Sequence, residues 1–203
     1  MPSLRIAFFF LALASVSSCA VNRGTINSYV EPTYLQGSIK RLAVLAIRNA
    51  GRAPSEARDI NVKIIQAISA KNAGVEIVSP AAALRAINEA GLANKWADFI
   101  EDYYTSGIAN KAILVEISKA LNVDAIMQGQ LVHVFQQDGN GWDTTGTTRI
   151  TVSFSIIEVS TAKPVWEASS DGVKINAAGM VAPPVADAIG LAIEKIAANL
   201  PLL

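Results

Sequence analysis

The chain has 203 residues, 51% of them hydrophobic and 17% charged, and 17 basic residues balance 17 acidic ones. That length fits one domain of ordinary size, and the neutral balance excludes the basic face that a nucleic-acid partner requires. One cysteine and one histidine exclude an intrachain disulfide framework and a Cys/His zinc centre.

Residues 1–5 carry one positive charge, residues 6–14 (IAFFFLALA) are a continuous apolar run, and residues 15–18 are small or polar save Val16. This is the three-part order of a secretory signal. Nine apolar residues rise only about 14 Å as a helix, against a hydrocarbon core of roughly 30 Å, so the run is too short to remain as a membrane anchor. Its end, Val16-Ser17-Ser18-Cys19, resembles the bacterial lipobox. The resemblance implies cleavage before Cys19, acylation of its thiol and new amino group, and attachment to a lipid bilayer. Ordinary cleavage after Ala20 and a buried structural thiol are the alternatives. The lack of a second cysteine favours lipidation. Several acyl chains give durable attachment where one gives marginal binding. Ala20 after the cysteine resembles an outer-membrane sorting signal, which implies the periplasmic face of that membrane, with the inner membrane and a surface-exposed orientation as the alternatives.

Residues 19–38 follow as a mostly polar stretch without sustained period, read as a lipid-attached tether that spans on the order of 25 Å as a coil. Tyr29, Val30, Tyr34 and Leu35 interrupt its polarity and are expected to dock on the domain, with a partner-binding strip as the alternative. The domain itself is assigned to residues 39–203.

Residues 42–47 (LAVLAI) read as a buried strand, followed by a loop and a helix capped by Ser55 with Ile60, Ile64 and Ile68 on one face. A second short strand covers residues 75–78. Ser79-Pro80 opens a helix with Leu84 and Ile87 expected inward, and Gly91 ends it. Trp96, Phe99, Ile100 and Tyr103 fall on one face of an aromatic helix. Ile113, Ile117 and Leu121 mark another that stops near Asn122. Period two then takes over. Residues 125–135 form a long strand with Gly129 as a bulge or close-approach point. Ile150, Val152, Phe154 and Ile156 alternate with Thr151, Ser153 and Ser155 in a one-sided strand. Trp166 faces a core from residues 164–169. Pro183-Pro184 opens a last helix. The expected fold is a single α/β domain with a mixed sheet of about five strands, in the order β-α-β-α-α-α-β-β-β-α. The first two strands are parallel neighbours and the last three form an antiparallel meander.

Residues 41–51 (RLAVLAIRNAG), 117–131 (ISKALNVDAIMQGQL) and 155–169 (SIIEVSTAKPVWEAS) resemble, in this order, segments of the curli-secretion CsgG family of envelope lipoproteins. The penicillin-binding-protein activator LpoB and the amino-terminal domain of TolB are similar in architecture. The resemblance spans about residues 40–198, and departs at Thr161-Ala162, where the family often has Thr-Gly. It implies a domain that works by protein contacts and supplies no binding residues for single positions.

No catalytic constellation accompanies His133, the lone imidazole, and a structural or surface role is its expected reading. Asp98, Glu101 and Asp102 read as a solvated helix face rather than a cation or acid–base cluster. Residues 136–147 lack a phosphate-loop pattern and read as a mobile hairpin tip. Trp142 at that tip is a candidate partner anchor, with folding back over the sheet as the alternative. Trp96, Tyr103 and Tyr104 are candidate partner contacts, weighed against a core role. No cofactor or metal is expected. The role that follows is a non-enzymatic, lipid-anchored accessory, assembly or regulatory component of an envelope machine. Its envelope protein partner is unidentified, and self-association into a homo-oligomer stays open. A CsgG-type secretion-channel subunit and an envelope hydrolase are the rival readings.

Overall fold

The computed structural model describes residues 21–49, 54–140, 144–176 and 180–203. The expected leader over 1–18, Cys19 and Trp142 lie outside them. Along the chain run β1 (Val21–Arg23), β2 (Ile26–Val30), β3 (Arg41–Val44), α1 (Pro54–Lys71), β4 (Glu76–Val78), α2 (Pro80–Glu89) and α3 (Ala93–Ser106). Then come α4 (Lys111–Leu121), β5 (Ala125–Gln137), β6 (Gly146–Glu158), β7 (Lys163–Asn176) and α5 (Val185–Ala198). The strands form one mixed sheet in the order β1-β7-β6-β5-β3-β4, with β2 also on β7. β3 is parallel to both β4 and β5, whereas β5, β6 and β7 form the antiparallel meander. The α/β class, the parallel pair and the meander match the sequence expectation.

Among the described residues the sheet has seven strands rather than about five, because the expected tether is itself partly strand. From residue 21 onward β1 and β2 pair antiparallel with β7. Without them β7 would be an open edge whose backbone groups lack partners. Ile26 and Tyr34 pack against the core, while Leu35 stays 75% exposed. Within the expected tether, residues 21–23 and 26–30 thus pair into the sheet.

Local chemistry explains the boundaries. α1 starts at Pro54, one residue before the expected Ser55 cap; proline suits a first turn, where its missing N–H costs nothing. Ser79 caps α2 and Asn110 caps α4 through side-chain oxygens. Asn122, in the left-handed region at φ 52°, ends α4. Two residues on, Asp124 Oδ2 accepts from the backbone N–H groups of Lys40 and Arg41, both at 2.9 Å. That carboxylate locks the starts of β3 and β5 side by side. After Val44 the chain leaves regular strand geometry but stays bound to β5, with Leu45 N donating to Met127 O (3.0 Å) and Arg48 N to Gly129 O (2.9 Å).

Two cores flank the sheet. One joins Ile60, Ile64 and Ile68 of α1 and Ile189 and Ile193 of α5 to Val152, Phe154, Ile156 and Trp166. The other joins Ala83 and Ile87 of α2, Phe99 of α3 and Leu114 and Ile117 of α4 to Ala43, Ile126 and Ile157. Leu84, expected inward, is 55% exposed; Ala83 and Ile87, four residues apart, set the buried face of α2 and turn Leu84 away. Gly129 is a close-approach point, since a Cβ there would meet the Phe154 ring at 2.6 Å. The bulge falls at Val132, between the Leu131 and His133 pairings. The described flanks of the hairpin expected to be a mobile tip are tied down, with Gly139 N donating to Met180 O (2.7 Å) and Ala182 N to Asp138 Oδ1 (2.7 Å).

α5 lies close on β7 at Gly172, where a Cβ would stand 1.9 Å from the Ala188 carbonyl oxygen. Backbone cannot yield as a flexible side chain does. Gly172→Ala is expected to lower unfolding free energy by about 3 kcal/mol, read by urea denaturation with Gly190→Ala, where a Cβ meets nothing, as the tolerated control.

Candidate functional site

The face of the sheet opposite α1 and α5 changes character along its length. Near the start of β5 it is apolar, with Ile126 and Ile157 under α2–α4. Beyond them, period-two alternation puts polar residues on that same face. Register aligns them in rows across four strands. Gln128 on β5, Ser155 on β6, Glu167 on β7 and Tyr29 on β2 form one row; Gln130, Ser153, Ser169 and Asn27 form the next. A third contains His133, Thr151 and Asp171, brought onto this face by the bulge at Val132.

α3 ends above the first row. Gly107, at φ 72°, supplies its left-handed C-cap, and the last turn delivers Tyr103 and Tyr104 to a pocket of about 510 Å³ between helix and sheet. Tyr103 is 7% exposed and its hydroxyl lies 2.9 Å from Ser155 Oγ and 3.3 Å from Glu167 Oε1. Tyr104 donates to the Gly129 carbonyl at 3.2 Å. The Arg48 guanidinium sits over the Tyr104 ring, 4.9 Å from its centroid. Tyr29 closes the far side and donates to Glu31 Oε2 at 2.7 Å; this bond raises the Tyr29 phenol and lowers the Glu31 carboxyl.

The phenols are held neutral. Burial pushes Tyr104 up to about 12, with Arg48 opposing. Burial also raises Tyr103, Ser155 opposes through its hydrogen bond, and the Glu167 charge adds to the rise. Gln128, only 4% exposed, lines the pocket, and its Oε1 has no hydrogen-bond partner.

Other sequence candidates fall elsewhere. Trp96 stacks on Phe99 (centroids 5.5 Å, 22°), which stacks on Tyr103 (6.2 Å, 3°), so one aromatic ladder runs from half-buried Trp96 through the core at Phe99 to the pocket. The outer end of that ladder, at Trp96 and Arg48, lines separate shallow grooves. Asp98, Glu101 and Asp102 are exposed on α3 and no group of three or more metal-ligating side chains occurs among the described residues. His133 is exposed; its neighbour Thr151 gives its hydroxyl proton to Asp171 Oδ1 at 2.7 Å rather than to the imidazole. No helix among the described residues is long and apolar enough to cross a membrane.

Sequence reasoning found Tyr103, Tyr104 and the polar side of β6, but missed Gln128, Gln130, Glu167 and Asn27. Only cross-strand register joins them, and the one available signal was the alternation of Ser153 and Ser155.

Two measurements check this network. Tyr103→Phe leaves Ser155 and Glu167 without the hydroxyl and is expected to cost roughly 1 kcal/mol in urea unfolding. The raised Tyr104 pKa predicts stability that is intact below the ordinary phenol value of 10.0 and declines as pH rises through about 12, because the unfolded chain ionises first; a Tyr104→Phe variant is expected to lose less between pH 9 and 11.

No protein-family model matches the chain, and no curated protein matches it. Among solved structures, the PelC dodecamer from Paraburkholderia phytofirmans is similar at TM-score 0.50 and 18% identity, over 86% of this chain and 94% of that one. Lipoprotein GNA1162 from Neisseria meningitidis follows at TM-score 0.46 and 10% identity, over 77% of this chain and 94% of that one. The likeness to PelC spans nearly all the described elements and is a likeness of fold.

Proposed function

We propose that the chain is a non-enzymatic, lipid-anchored periplasmic component of an envelope machine, fixed to the outer membrane through acylated Cys19 and acting by protein contacts in several copies. The lipobox-like Val16-Ser17-Ser18-Cys19 carries this reading. Sheet structure supports it: β1 begins at Val21, so a single residue, Ala20, lies between the anchor and the fold, a span of about 7 Å at full extension. Such spacing holds the domain against the lipid and confines its recognition surfaces to a thin layer, which raises their effective concentration. The PelC fold likeness, with PelC a dodecamer, supports assembly in multiple copies. The resemblance of residues 41–51, 117–131 and 155–169 to CsgG-family segments points to the same envelope setting.

Cys19→Ala is expected to move the protein from the membrane fraction to the soluble periplasm with its fold intact, as read by fractionation and circular dichroism. Retention of that variant in membranes overturns the anchor. Native mass measurement of the detergent-extracted wild type is expected to give multiples of the protomer, and a monomer at all concentrations overturns the assembly.

A further inference from the structure

The pocket under the end of α3 sets one carboxylate, that of Glu167, among hydroxyls, amides and phenol rings. Tyr104 commits its proton to the Gly129 carbonyl, and Tyr103 commits its own to Glu167, with Ser155 Oγ 2.9 Å from the phenol oxygen. Among the described residues no Lys, Arg or His lines the cavity, and Glu167 is its one acidic side chain. The buried Gln128 Oε1 has no partner, and an unpaired buried acceptor is costly to keep. An anion would meet the Glu167 carboxylate with no counter-charge. An apolar ligand would leave Gln128 Oε1 unpaired. A cation bearing several N–H groups answers both.

We propose that this pocket receives a guanidinium or ammonium group on an alkyl stem, with Glu167 as its counter-ion, Gln128 Oε1 as an acceptor and the tyrosines as its aromatic wall. Tyr104 already carries a guanidinium from outside, that of Arg48 at 4.9 Å, so the same ring chemistry is at work in the fold. A volume of about 510 Å³ exceeds what a guanidinium alone fills, leaving room for the stem. The stem belongs either to an arginine or lysine side chain of a partner protein or to a free alkyl cation. This deepens the proposed role by naming what the contact surface recognises, and it rests on the reading of the domain as a recognition module.

Calorimetric titration of the full-length, detergent-solubilised protein with agmatine, acetate and glycerol tests it. A saturable one-to-one isotherm is expected for agmatine alone. Glu167→Gln is expected to weaken it about tenfold, and Gln128→Leu several-fold, with thermal melts confirming that both variants fold. Acetyl-Gly-Arg-Gly-amide binding more tightly than agmatine assigns the group to a partner's side chain; the reverse order assigns it to a free cation. No agmatine isotherm, an equal response to acetate or glycerol, or unchanged affinity in Glu167→Gln overturns the proposal. Fractionation of Cys19→Ala reads the anchor independently, so failure of one reading is distinguishable from failure of the other.

Discussion

α2, α3 and α4 cover one face of the sheet over only part of its length, and most of what is distinctive in this fold follows from that. Where they lie, strands are apolar on both sides: Leu42 and Val44 face one core, Ala43 and Leu45 the other. Where they stop, the meander continues with one dry side and one wet side. A wet side without a covering helix must carry groups that water can solvate, and β5, β6 and β7 do so in matched rows. The pocket forms at the boundary, where the last aromatic residues of α3 overhang the first polar row. Its mixed lining of phenols, serines, amides and one carboxylate is the chemistry of a border between core and solvent.

The same border explains why the tyrosines stay protonated. Tyr103 and Tyr104 are the last members of an aromatic ladder that passes through the core at Phe99, so Tyr103 is buried and Tyr104 half-buried while their hydroxyls reach the polar rows. Burial penalises the phenolate, and the Glu167 charge reinforces this at Tyr103. Each hydroxyl then serves as a fixed donor that knits α3 to the sheet. Arg48, just beyond β3, closes the outside of Tyr104. The pocket wall is thereby braced from both sides.

Elements with strong local signals were legible in the sequence. The isoleucine spacing of α1, the Ser79-Pro80 entry of α2 and the alternation of β6 each rest on neighbours within one or two turns, and all three appear in the fold. What could not be read depends on partners far along the chain. β2 has no period that marks it as strand, since four of its five residues are exposed; the open edge of β7, over 130 residues away, makes it one. Leu84 carries an apolar side chain outward because Ala83 and Ile87 already fill the buried stripe. The pocket was half legible: α3 showed its tyrosines, but Gln128 and Glu167 meet them only through register.

The irregularity at Val132 has a consequence for how β5 tolerates change in length. Leu131 pairs with Val152 and His133 with Thr151, two consecutive residues of β6, so Val132 stands outside the count. Removing it would join the two halves of the strand in regular alternation, and every side chain beyond would keep its side of the sheet. Loss of a paired neighbour such as His133 would instead invert all that follows, sending Phe135 where Val134 stands. Within this thirteen-residue strand, a single position is spare, and it lies just past the polar rows that frame the pocket.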